Sequence, residues 1–358
     1  MIDIALVTLI GQGVLPAALI VWLWRGRCRS RSEWLWKSLA LASYLALIGV
    51  VGIALLVPWY GLYGMAVPAV TASMVAWRRT APRAGAAGRL QERRRLWCPA
   101  AITAFCTACL AWALLGHVPP PGLAAAVEFP LRSGVFYVLH GGYSILINPH
   151  LKTYVRERLR AYRGQSYALD IVKLNSFGLR ARGVWPREPS RYEIFGEPVY
   201  APCDGQVLLT ENNRPDFEPP EFDRQEPAGN FVFLECGDAG ILLAHLMQFS
   251  VEVEPGERLR RGQFLGRVGN SGYSTEPHLH IHAQQRPGRA VQVQDPIVPP
   301  ARHDPGLDRR LPLDVDLLAG DRGASRAGHR RSRARRLPAA PEVPDAGQVA
   351  FPGVAVPR

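Results

Sequence analysis

Apolar residues fall into two textures that meet near residue 118. In the first third, the stretches 4–24, 38–58 and 97–117 contain no Asp, Glu, Lys or Arg. Each is long enough to cross a bilayer, for which roughly 20 apolar residues suffice. A fourth stretch, 61–77, is shorter. From residue 134 the apolar runs become short and are cut by Gly, Pro and Asn, the texture of strands. Runs 135–148, 167–174, 199–210, 230–236, 241–247 and 263–268 are expected to be strands. Their turns are marked by Cys203-Asp204-Gly205, Gly237-Asp238-Ala239-Gly240, Pro255-Gly256 and Gly269-Asn270-Ser271-Gly272. Residues 152–162 are the one good helical candidate in this half, and a strongly basic one. Many short strands with Gly-rich turns predict an all-β domain, a β-sandwich or partial barrel, over 134–300. Pro119-Pro120-Pro121-Gly122 opens a linker, 118–133, and after residue 300 the periodicity stops. The segment 301–358 is rich in Arg, Pro and Ala, a composition that cannot bury a core, and is expected to be disordered.

Charge turns the apolar stretches into a topology. The formal charge of +12 comes almost wholly from Arg, since Lys37, Lys152 and Lys173 supply all the lysine. Arg25, Arg27, Arg29, Arg31 and Lys37 follow the first stretch; Arg78, Arg79, Arg83, Arg89, Arg93, Arg94 and Arg95 precede the last. The turn Pro58-Trp59-Tyr60-Gly61 between them is uncharged. The positive-inside rule places both basic loops in the cytoplasm, so two spans lie between them and 61–77 counts as one. The membrane region, 1–117, then has about four transmembrane helices and returns the chain outside near Val118. The first stretch lacks a basic n-region and a small-residue cleavage site, so it is not read as a cleavable signal peptide. The absence of ionisable residues within the spans argues against a transporter. Much of the basic charge is expected in membrane-flanking loops and the tail, where it suits an anionic wall polymer and no nucleic acid is expected.

Cysteine supplies no zinc pattern in the globular part, which holds only Cys203 and Cys236. In an exported domain those two could pair as a disulfide. Histidine carries the chemistry instead. His278, His280 and His282 alternate with Leu279 and Ile281, and on a strand residues two apart share a face. Imidazole is the commonest metal ligand. Asp170, between Leu169 and Ile171, must be paired or coordinated if buried, by an arginine or by a metal.

The stretch VEVEPGERLRRGQFLGRVGNSGYSTEPHLHIHAQ, preceded by ILLAHL and FGEPVYAPCDGQVL, resembles the lysostaphin/LytM-type zinc metalloendopeptidases of bacterial cell walls. The similarity runs over about 141–296 and implies a duplicated hybrid-motif β fold, one Zn2+ per domain, and cleavage of peptide bonds in peptidoglycan. It further implies that His280 is a zinc ligand and that His278 and His245 flank the reacting carbonyl. Asp170, in YALDIVKL, matches the family's aspartate ligand. Where the family usually has its first histidine ligand this chain has Ser166, a poor zinc ligand. By similarity to a variant of the family, His150 in GGYSILINPHLKTYV takes that place, with His140 as the competitor.

Three ligands, His150, Asp170 and His280, with one open position form the arrangement of catalytic zinc. His245 or His278 would then act as base or oxyanion donor, and His282 has a supporting role at most. The resemblance thus implies a membrane-anchored, multi-pass peptidase with its domain on the extracytoplasmic side, acting on peptidoglycan peptides in wall remodelling. The alternative is a catalytically inactive peptidoglycan-binding or regulatory module that activates other wall hydrolases.

Overall fold

The computed structural model describes residues 4–52, 60–80, 89–118, 124–285 and 289–294. The chain divides into Met1–His303 and Asp304–Arg358. The predicted disordered tail, the start of the uncharged turn at 58–59 and Arg83 lie outside the described residues.

Helix α1, Ile4–Thr8, runs through a π-helical stretch, Leu9–Val14, into α2, Leu15–Arg25. Tyr44 donates its hydroxyl hydrogen bond to the Gly11 carbonyl in that stretch at 2.6 Å. Helix α3, Arg31–Val51, starts where Ser30 caps it, its hydroxyl accepting from the Glu33 amide at 3.1 Å. Then come α4, Gly61–Gly64, α5, Ala66–Arg78, and α6, Arg89–Leu115. Leu6–Arg25, Arg31–Val51 and Arg95–Leu115 are long and apolar enough to cross a membrane. Helix α5 has only 13 residues. It packs by its small side chains Ala69, Ala72 and Ala76 against Ile20, Leu23 and Leu41. Large apolar residues such as Leu9, Trp22, Phe105, Trp112 and Leu115 face outward, a surface suited to lipid rather than water.

The ends of this bundle differ. At one end Trp34 donates to Ser73 O at 2.8 Å, Arg79 donates to Trp24 O at 2.9 Å, and the Trp34 and Trp77 rings pack at a tilt with centroids 4.6 Å apart. Here the basic residues collect. At the other end, Gly116 and Tyr60 meet the β domain. The Tyr143 amide donates to Gly116 O at 2.6 Å, and the Tyr60 hydroxyl donates to Phe177 O at 3.0 Å. A Cβ on Gly116 would lie 2.4 Å from Ser144 Cβ, so only glycine admits this approach.

The β domain is built on a nine-stranded sheet. Its strands are β1 (Ala124–Ala126), β2 (Val135–His140), β3 (Leu169–Leu174), β5 (Gly205–Glu211), β6 (Asn230–Cys236), β7 (Ala239–Leu246), β8 (Arg258–Leu259), β10 (Leu279–Gln285) and β11 (Arg289–Gln294). The path runs β1-β11-β10-β7-β6-β5-β8, with β3 pairing the first half of β10 and β2 pairing β3. Strands β4 (Pro198–Tyr200) and β9 (Phe264–Arg267) form a separate pair. Among the described residues the sheet does not close into a barrel. One face of the central strands buries Ile171, Leu243, Leu279 and Ile281 with Val199 and Leu265 of the small pair.

Several expected boundaries change. The 230–236 strand is found as expected, but 135–148 ends at His140, where Gly141 and Gly142 turn the chain. The 199–210 run splits at its Cys203-Asp204-Gly205 turn into strands of different sheets. The 152–162 helix is not continuous. Helix α7, Lys152–Val155, ends at an extended Arg156, and Glu157–Gln165 continues as a 3₁₀ helix with no buried residue. None of the residues from Glu157 to Gln165 is buried, so the longer α-helix has no core packing to support it. Within the stretch read as linker, β1 pairs in parallel with β11, and Leu131 is buried in the core. Cys203 and Cys236 form a disulfide, with Cα atoms 5.9 Å apart.

Candidate metal centre

Four neighbouring strands bring one row of side chains together. His140 pairs in register with Asp170, Asp170 with His280, and His280 with Ala244. The alternation of β10 puts Leu279 and Ile281 into the core, which leaves His280 and His282 on the opposite face.

Two β-bulges adjust this row. In β7 the register slips so that Leu246 and Ala244 face Asn230 and Phe231, leaving His245 as the extra residue. Its φ of 62° is left-handed, which costs a non-glycine residue on the order of 1–2 kcal/mol. The bulge directs the imidazole to the histidine face while Leu243 and Leu246 both reach the core. In β2 the slip lies between Val138 and His140, and it sets His140 beside Asp170.

Asp170 is the hub. Its Oδ2 lies 3.0 Å from His140 Nδ1 and 2.9 Å from His150 Nε2. Its Oδ1 lies 2.9 Å from His280 Nδ1 and 3.5 Å from His278 Nε2. Burial alone would push this carboxyl up. The charges of His150 and His278, with hydrogen bonds from His140 and His150, overcome it and hold the group well below the usual carboxylate range. His150 enters from a 3₁₀ turn, Pro149–Leu151. Fully buried Asn148 fixes that turn: its Oδ1 accepts from the His150 amide at 3.0 Å, and its Nδ2 donates to Gly142 O at 2.9 Å.

The remaining histidines are oriented by carbonyls. His245 Nδ1 lies 2.9 Å from Ser271 O and His278 Nδ1 lies 2.8 Å from Glu276 O. A carbonyl can only accept, so both Nδ1 atoms carry the proton, and in the neutral rings Nε2 carries the lone pair. Their centroids are 4.8 Å apart. Burial, reinforced by the charges of His278 and His280, pushes His245 well below the ordinary imidazole range. His278 is also buried, but the Asp170 carboxylate outweighs that and raises it. Burial lowers His280 despite Asp170, and lowers His282 strongly. His280 Nε2 and His282 Nδ1 are 3.1 Å apart.

This donor set fits a divalent ion. Tetrahedral zinc ligands at about 2.0–2.2 Å from the metal stand roughly 3.3 Å from one another. His140, His150 and Asp170 offer donor atoms within 4.8 Å of one another, as do His245, His278 and His280. His280 joins the first group through Asp170, and its ring lies 5.0 Å from that of His150. All five site residues expected from the sequence therefore meet in one place, with His140 and His282 beside them.

The family model of peptidase family M23 matches residues 192–293. That stretch is an M23 peptidase domain. It contains His245, His278 and His280, whereas Asp170, His150 and His140 come from the chain before it. The peptidoglycan DD-endopeptidase ShyA of Vibrio cholerae serotype O1 is 33% identical over 111 residues, covering 31% of this chain and 23% of that protein. The glycyl-glycine endopeptidase ALE-1 of Staphylococcus capitis is 42% identical over 152 residues, covering 41% of this chain and 38% of that one. The chain thus spans well under half the length of either relative. Lysostaphin from Staphylococcus simulans aligns over 33% of this chain and 37% of its own at 23% identity, with a TM-score of 0.22, too low to bear on the fold.

Sequence reasoning missed a buried ion pair inside the M23 domain and its approach. Arg180 grips Glu276 with contacts of 2.7, 2.9 and 3.1 Å, and Glu276 supplies the carbonyl that orients His278. Ser274 adds to this turn, donating to Asn270 Oδ1 at 2.7 Å. The only available signal was a glutamate two residues before His278.

Proposed function

We propose that this chain is a membrane-anchored zinc endopeptidase that hydrolyses peptide bonds in peptidoglycan on the extracytoplasmic side, in wall remodelling. The observation that carries this reading is the buried Asp170 carboxylate, bracketed by His150 and His280, with His245 and His278 held beside it in defined tautomers. His150, Asp170 and His280 would hold the ion; when bound, zinc supplies Lewis acidity that activates water and polarises a carbonyl.

His245 Nε2 faces the site with its lone pair free, and burial keeps the ring neutral, so it suits acceptance of a proton from the attacking water. His278, raised by Asp170, suits donation of a hydrogen bond from Nε2 to the carbonyl oxygen as negative charge develops there. Ser166 does not substitute for a ligand here: its hydroxyl bonds Thr153 Oγ1 at 2.8 Å and Arg163 O at 2.8 Å. Anchoring is supported by the three apolar helices and by basic residues gathered at the bundle end away from the β domain. The Cys203–Cys236 disulfide supports an oxidising compartment for that domain.

The test is zinc analysis of the purified chain together with release of soluble peptides from isolated peptidoglycan. One zinc per chain and release lost in His278→Ala are expected. Absence of both zinc and released peptides would sink the reading. Zinc without release would favour the inactive regulatory module.

A further inference from the structure

The β domain exposes large apolar side chains next to the places where the helices meet it. Tyr143, whose amide bonds Gly116 at the end of α6, is exposed, as is Ile145 two residues on. Tyr143 and Tyr154 lie against Tyr167, with centroids 5.5 and 6.5 Å away, so α7 belongs to the same surface. Val155, the last residue of α7, is 72% exposed. Phe177, whose carbonyl accepts from Tyr60, is 70% exposed. The apolar surface of α6 continues into this region through exposed Leu115 and Val118. Exposed Lys152, Arg156 and Arg158 border it.

A soluble domain gains nothing by leaving two tyrosines, an isoleucine, a valine and a phenylalanine in water beside its two contacts with the helices. Aromatic rings beside aliphatic side chains, edged by cations, are the composition of a surface that sits in a bilayer interface. We propose that the peptidase domain has a bilayer contact of its own, in which Tyr143, Ile145, Tyr154, Val155 and Phe177 enter the headgroup boundary. Lys152, Arg156 and Arg158 meet lipid phosphates at its edge. The occupant is lipid rather than wall polymer because the exposed residues are largely apolar and adjoin the helix ends, Tyr143 at the outward apolar surface of α6 and Phe177 at Tyr60. This inference rests on the membrane-anchored reading.

The full chain is reconstituted in nanodiscs of phosphatidylethanolamine and phosphatidylglycerol doped with a phospholipid bearing a diazirine near the glycerol. After illumination, adducts are mapped by mass spectrometry. Adducts are expected on α6 and on the peptides carrying Tyr143–Ile145, Tyr154–Val155 and Phe177. In the chain carrying Val155→Asp and Phe177→Asp, adducts on the domain should fall at least about fivefold, as loss of this apolar burial implies. Those on α6 should persist, which also shows that the variant is inserted. Adducts on the helices alone would overturn this inference and leave the anchor intact; adducts on neither would overturn the anchor as well. If added peptidoglycan fragments, and not lipid, shield these peptides from hydroxyl-radical labelling, the patch is a wall-polymer surface and the proposal fails.

Discussion

His140 and His150 reach the same oxygen of Asp170, yet their support differs. His150 is set on a turn capped by buried Asn148 and lies edge-on to His280, whereas His140 sits at the end of β2 after a bulge. His150→Ala is therefore expected to abolish stoichiometric zinc binding. His140→Ala should keep one zinc per chain while weakening affinity about 10–100-fold, the usual cost of losing an outer partner. Metal analysis after dialysis against a chelator of graded strength separates the two. A second prediction concerns Asp170 in zinc-free protein. Its folded pKa lies below the unfolded value of about 3.9, so its contribution to stability is present above that pH. It is lost as pH falls through the lower folded value. The stability gap between the wild type and Asp170→Asn in urea titrations should thus be widest near neutrality and close in acid. Alternation put His278 and His280 on one face, and the family resemblance of their segment and of YALDIVKL marked them and Asp170 as site residues. The choice between His140 and His150 stayed open because their convergence depends on a bulge and a loop.

The elements that hold these residues work through register. A strand can be read from its own apolar pattern, as 230–236 was, but a bulge is a property of two strands and is invisible in either alone. His245 is the clearest case: an imidazole in an apolar run is directed to the site by one extra residue opposite Phe231. The turn before β10 depends on Arg180 and Glu276, residues far apart in sequence and both buried. Glu276→Gln removes the carboxylate that Arg180 grips, and breaking such a buried pair costs about 3–5 kcal/mol. Chemical denaturation should show that loss, and peptidoglycan release should fall with it because His278 loses its support. Replacing both partners by leucine or methionine should restore much of the stability without restoring release. The short helix α7 shows the opposite limit, where helix-forming residues found no core to pack against after Val155 and the chain broke at Arg156.

At the scale of the molecule, the Cys203–Cys236 bridge joins residues separated by 33 positions and closes a loop within the M23 domain. Chain-entropy arguments put its contribution at about 3–4 kcal/mol, so reduction should lower the midpoint of thermal unfolding measurably. The junction at Gly116 offers a further test. A side chain there collides with Ser144, six residues before His150 in the same loop. Gly116→Val is expected to lower thermal stability and to weaken zinc binding together, which isothermal titration and calorimetry can follow. The Tyr143 amide binds the helix end directly, so the domain is held against it there. A hydrolase on a flexible tether explores a hemisphere; one joined in this way, if carried in a bilayer, explores a thin slab. Its choice of bonds would then be set by altitude above the membrane as well as by chemistry, and lateral diffusion would be its only means of search.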